Sequence, residues 1–191
     1  KNILDALAAN RFLAAKTLIM ETQVSTAFKA NPDLTAAVLR HAILKQPAPG
    51  TDAIRDILLS DSLIDTVNPV PVPPVITEAG FTQHYRALRL LHKLLPLIDS
   101  YKLEVSDAEW LLMHNTDLGW LEWDTIPYVS GHVEAPYQKY TDLERVLELA
   151  TLLTPVEDPA DATQPVTFWS ILDMLLPGSS ATRGQFLEKL A

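Results

Sequence analysis

The 191-residue chain contains no cysteine. Disulfides and thiolate metal sites are therefore excluded, while the compartment stays open, because exported bacterial proteins also dispense with cysteine. Glycine is scarce, with 6 residues, and 48% of the chain is hydrophobic. That balance describes packed helices and not a disordered tail. No secretory signal opens the sequence, and no uninterrupted apolar run approaches the ~20 residues a membrane helix needs, so direct membrane insertion by this segment is not expected. The first residues, Lys1 to Ala9, read as the middle of a helix, and the last, Gly184 to Ala191, as the inside of another, so the expectation is an excised piece of a longer protein.

Bases are outnumbered. The formal charge of −9 leaves no basic face for phosphates, which argues against nucleic acid as a partner. The excess gathers between Asp99 and Asp124, where Asp99, Glu104, Asp107, Glu109, Asp117, Glu122 and Asp124 face one base, Lys102. A solvated surface with carboxylates near helix N-termini accounts for this, and a partner-docking or pH-sensing face is the functional alternative.

The sequence also lacks H-E-x-x-H, G-x-S-x-G, a Walker glycine loop and G-x-G-x-x-G, so no catalytic residue, cofactor or metal is expected. His84 and His92 are eight residues apart on one expected helix, too far for joint ligation from adjacent turns. His114, Asp117 and Glu122 are near in sequence, but only the first two have helical ligand spacing, and a metal there is disfavoured. Trp120 and Trp123 beside Glu122 and Asp124 suggest a second reading, a glycan-binding or glycan-cleaving site. Indoles at i and i+3 beside Leu121 more often anchor a core. A generic helical interaction module is a third reading.

What is present is helical periodicity. Phe81, Tyr85, Leu88, Leu91 and Leu95 recur at steps of three and four, and Leu90, Leu94, Leu97 and Ile98 widen the stripe, predicting a helix from 81 to about 101 with Arg86, Arg89 and Lys93 exposed and an irregularity at Pro96. Ser106 and Glu109 have the spacing of a capping box, Val105 and Trp110 that of a hydrophobic staple, and together they predict a helix over 107–114. Upstream, Ile3, Leu4, Leu7 and Ala8 form a short amphipathic turn, followed by a helix over 11–30 with Phe12, Ala15, Ile19 and Ala27 inward. Asn31-Pro32 begins a helix over 32–45 with Ala37, Val38, Ala42 and Ile43 buried. Thr51 caps another over 52–65 with Ile54, Ile57 and Leu58 inward.

Prolines at 69, 71, 73 and 74 forbid helix over 67–76 and favour an extended strut. The expected organisation is an N-terminal helical subdomain over 1–66, a proline-rich connector over 67–76 and a C-terminal helical subdomain over 77–191. Within the last, Thr141 and Glu144 suggest a second capping box for a helix over 142–153, residues 154–165 an exposed loop, and Phe168, Ile171, Leu172 and Leu175 a helix stopped by Pro177-Gly178, with a final helix from Thr182. No fixed-period repeat is present. The fold class is all-α, an irregular bundle of about eight helices.

The order of Leu90 to Leu95, Tyr101 to Leu103, Ser106 to Leu112 and Leu118 to Leu121 resembles a pattern in the A subunits of insecticidal Tc toxin complexes. Thr141 to Leu153, Phe168 to Leu176 and Phe186 to Leu190 are similar to the parts that follow it, so the resemblance covers roughly the last two thirds of the chain. It rests on packing residues. It implies a non-catalytic segment of the large helical shell of a secreted or cell-surface bacterial toxin, serving assembly, host-cell attachment and translocation. The implied partners are other domains of the same longer chain and further copies in a homo-oligomer. The family's shell opens on pH change, which makes His84, His92, His114, Asp117, Glu122 and Asp124 the candidate pH-sensing or partner-facing residues.

Overall fold

The computed structural model describes residues 2–45, 50, 52–60, 76–114, 116–117, 119, 122–123, 126–129, 137–153, 155–157, 165–181 and 183–190. Among them are eight helices and one two-stranded hairpin, so the chain is all-α. None of these helices is long and apolar enough to cross a membrane. The residues form two compact units, one of Lys1–Leu112 with Trp123–Val133, the other of Met113–Glu122 with Glu134–Ala191. Residues on both sides of the expected 67–76 connector thus share the first unit. Nine of the connector's ten residues lie outside the described set.

The first unit is built on α4, Thr82–Ser100. His84, Ala87, Leu90, Leu91, Leu94, Leu95 and Ile98 are buried, the three-and-four spacing that places them along one side of a helix. Leu88, expected in that stripe, is 40% exposed and shares the solvent side with Arg89, His92, Lys93 and Pro96. Proline's missing N–H therefore falls on the solvent side of the helix, where leaving a carbonyl without its helical partner costs least, and the helix continues for another turn to Ser100.

Two helices pack on α4 from upstream. In α2, Pro32–His41, Asn31 Oδ1 accepts from the amides of Asp33 at 2.9 Å and Leu34 at 3.2 Å, with proline at the first position, as expected. The helix stops at 41 and not at 45. Ala42 turns extended, its carbonyl accepts from the Ile54 amide at 2.9 Å, and Ile43 pairs with Ala53 as an isolated bridge. This non-local pairing overrides the apolar periodicity that predicted more helix. It also holds Ala53 extended, so α3, Ile54–Leu58, begins after Ala53 without a side-chain cap. Thr51 and the expected continuation over 61–65 lie outside the described residues. The Gly50 amide donates to the Leu44 carbonyl at 2.9 Å, and a Cβ at Gly50 would meet that oxygen at 2.5 Å.

Upstream, α1 is one helix, Asn2–Phe28, and not a turn followed by a helix. Its buried side differs from the expected one: Phe12, Ala15, Ile19 and Ala27 are exposed, while Val24 and Ser25 are buried. The reason is reach. Ten residues of α2 extend about 15 Å, whereas α1 extends about 40 Å at 1.5 Å per residue, so α2 meets only its last turns. The joint is a Schellman motif: Lys29 at φ +53° donates to the Thr26 carbonyl at 3.3 Å, and Ala30 to that of Ser25 at 3.0 Å.

Beyond α4, Lys102 at φ +52° turns the chain into α5, Val105–Met113. The expected capping box does not form. Val105 is already helical, Ser106 donates to Asp107 Oδ1 at 3.2 Å, and Glu109 pairs with Arg40 of α2 at 2.9 Å. Starting the helix at 105 also removes Val105 from the staple position. Trp123 is 1% exposed within this unit, and Lys93 donates to the Pro127 carbonyl, tying the return segment to α4.

In the second unit, α6 spans Tyr137–Leu152 and buries Leu143 and Leu147. Thr141 lies inside it, donating to the Gln138 carbonyl at 2.8 Å, so the second expected capping box is absent as well. The expected loop holds a hairpin of β1, Val156–Glu157, and β2, Pro165–Val166, with Val156 opposite Val166. The capping box of this unit belongs to α7, Phe168–Asp173, where Thr167 Oγ1 accepts from the Ser170 amide at 3.1 Å and Ser170 Oγ from the Thr167 amide at 2.9 Å. Phe168, Ile171 and Leu172 are buried, whereas Leu175 falls past the helix end and is exposed. Gly178 at φ +87° turns the chain towards α8, Arg183–Leu190, which packs on α7.

Candidate functional site

The sequence singled out three histidines and three carboxylates. His84 and His92 fall in the first compact unit, His114, Asp117 and Glu122 in the second, and Asp124 outside the described residues.

His84 is the most constrained. It sits one turn into α4, is 9% exposed, and meets the Phe81 ring edge-on at 5.6 Å. Burial pushes its pKa below the ordinary value of 6.5, partly offset by a hydrogen bond to the backbone of Ile57. Its Nε2 is buried without a hydrogen-bond partner among the described residues. His84 also lines a cleft of about 480 Å³ with Asp52, Asp56, Ile57, Ser60 and Phe81. The sequence placed His84 on a packed helix; the cleft was not legible, because it depends on how α3 meets the start of α4.

His92 lies on the exposed side of α4, its ring centroid 6.2 Å from that of Phe28 in an edge-to-face arrangement. His114 Nδ1 is 3.0 Å from Asp117 Oδ2. Glu122 lies 3.7 Å from Lys139 of α6. No three His, Asp or Glu side chains among the described residues converge as metal ligands. Trp123 offers no face for a sugar to stack on, since it is almost wholly buried, and Trp120 lies outside the described residues.

His41 was missed. It closes α2, and burial lowers its pKa first, Glu109 raises it, and Arg40 and Arg55 lower it. Its sequence signal was weak, a histidine after an arginine at the end of a helix pattern, with Glu109 distant along the chain.

Both histidines have folded-state pKa values below 6.5, so the unfolded chain binds more protons than the native one as pH falls. Their contribution to stability is complete above pH 6.5 and is lost as pH drops through the folded-state values. Urea denaturation of the wild type should therefore show stability declining below pH 6.5, and His41→Gln/His84→Gln should flatten that decline. An unchanged slope in the double variant would contradict the assignment.

Compared with known proteins, the chain matches no family model, no curated protein and no solved structure.

Proposed function

We propose that this chain is a structural segment of the helical shell of a Tc-toxin-like A subunit, serving toxin assembly, host-cell attachment and translocation without catalysis or a cofactor of its own. The observation that carries the assembly role is α1. Ile3, Leu4, Leu7, Phe12, Leu13, Leu18 and Ile19 are all more than half exposed, an apolar surface far beyond single scattered residues. Surfaces of that kind mark contacts with other protein. In this reading other domains of a longer chain, or further copies of it, cover α1, and the parent protein is a secreted or cell-surface homo-oligomer.

In this reading the residues that carry the resemblance serve packing. Leu90, Leu91, Leu94, Leu95, Ala108, Leu111 and Leu112 are buried in the first unit, and Leu143, Leu147, Phe168, Ile171 and Leu172 in the second. A motif made of core residues specifies a wall and not a reaction centre.

Electron microscopy of the full-length parent protein is the direct test. The expected image is a large oligomer with this segment in its outer wall. A small monomeric parent, or this segment standing apart from any wall, would refute the proposal.

A further inference from the structure

The free length of α1 carries a second pattern, on a side of the helix other than that of Leu4, Leu7 and Leu18. Asp5, Ala9, Phe12, Lys16 and Ile19 recur at steps of four, three, four and three, which aligns them in one stripe. With 3.6 residues per turn, the stripe points away from Val24 and Ser25, which are buried where α1 meets the rest of its unit. Asp5, Ala9, Phe12 and Ile19 are exposed, and Lys16 is half-exposed, its ammonium 4.8 Å from the centre of the Phe12 ring.

The stripe is complementary to itself when reversed about the point midway between Asn10 and Arg11. Laid antiparallel on a second copy, Asp5 faces Lys16 of that copy and Ala9 faces its Phe12, and each pairing occurs twice. Charge and size both match in that register. Each aspartate meets a lysine, and each Phe12 ring stands opposite an alanine short enough to leave it room. The flanking positions, Ala6, Ala8, Leu13 and Ala15, carry no charge, and the remaining charges of α1, Arg11 and Glu21, fall on the outer side. A parallel pair would instead set Asp5 against Asp5 and Lys16 against Lys16, repelling at both layers.

We infer that α1 pairs antiparallel with α1 of a second copy of this chain, Asp5 and Lys16 setting the direction and Phe12 against Ala9 the register. Charged residues within such a seam fix orientation and add little affinity. The attraction comes from Phe12, Leu13 and Ile19 of both copies, each more than half exposed in the single chain. Leu4, Leu7 and Leu18 stay outside the seam, and the pairing does not rest on the shell reading.

Sedimentation equilibrium of the 191-residue chain over about 1 to 200 μM provides the test, and a reversible monomer–dimer equilibrium is the expected result. Asp5→Lys and Lys16→Asp each bring like charges together across the seam and should weaken the dimer by at least about tenfold. The double reversal Asp5→Lys/Lys16→Asp should restore it to within about threefold of wild type. Only antiparallel pairing gives that rescue, because in a parallel pair the double reversal repels as the wild type does. Phe12→Ser should weaken the dimer by about tenfold as well. None of these side chains is buried in the single chain, so urea midpoints at low concentration should match wild type and report that the fold persists. A chain that stays monomeric throughout, single reversals as tight as wild type, a double reversal no tighter than the singles, or a dimer indifferent to Phe12→Ser would overturn the pairing. Any of these would leave the shell reading to be decided separately by microscopy of the parent.

Discussion

Leu94→Ala should lower the unfolding free energy of the first compact unit by about 3 kcal/mol, because a leucine truncated in a packed core loses its transfer free energy and leaves a cavity. Leu94 is fully buried on the side of α4 that carries Leu90, Leu91, Leu95 and Ile98. Trp123→Ala should cost at least as much, since the indole is larger and equally hidden. Leu88→Ala, on the same helix but facing solvent, should cost less than about 1 kcal/mol. Urea denaturation of the three variants checks the ranking. Equal losses at Leu88 and Leu94 would mean that the buried side of α4 is wrongly assigned, and with it the core that Trp123 joins.

The second large effect concerns assembly. Leu4, Leu7 and Leu18 share one face of α1 and are exposed. Replacing all three with glutamine should leave the thermal midpoint of the 191-residue chain within a few degrees of wild type, because surface substitutions away from special features each change stability by only about 0.5 kcal/mol. If the proposed shell role holds, the same triple variant in the longer parent should lose most of its oligomer by analytical ultracentrifugation, since a contact face would then have lost its apolar anchors. An oligomer that survives intact would separate α1 from assembly. A destabilised isolated chain would show instead that α1 is already packed within this segment.

Much of this architecture can be read from local chemistry. The periodicity around Leu90 to Ile98 delivered α4, and Asn31-Pro32 delivered the start of α2, because those signals are written in neighbouring residues. The failures share a cause. Ser106 and Glu109 have capping spacing, yet Arg40, 69 residues away in sequence, takes the Glu109 carboxylate. Ala42 and Ile43 continue a helical pattern, yet Ile54 and Ala53 draw them into extended pairing. The apolar side chains of α1 imply burial, while the neighbour that meets α1 is too short to bury most of them. The capping box formed among the described residues, at α7, uses serine at its third position in place of glutamate, which spacing rules keyed to acidic residues overlook. Among site residues, His84 was legible as a residue but its cleft was not, because α3 and α4 are separated by a long stretch of chain.

Two helix ends, at Lys29 and Lys102, are closed by a left-handed residue that carries a Cβ. Glycine or asparagine would occupy either position with less steric penalty. These hinge points therefore depend on backbone handedness far more than on the identity of the lysine, and substitution there should follow a rule unlike that of the core: compact or Cβ-free replacements tolerated, β-branched ones rejected. A library randomised at 29 and 102 and sorted for folded protein would carry that signature as an enrichment for glycine and asparagine over valine and isoleucine.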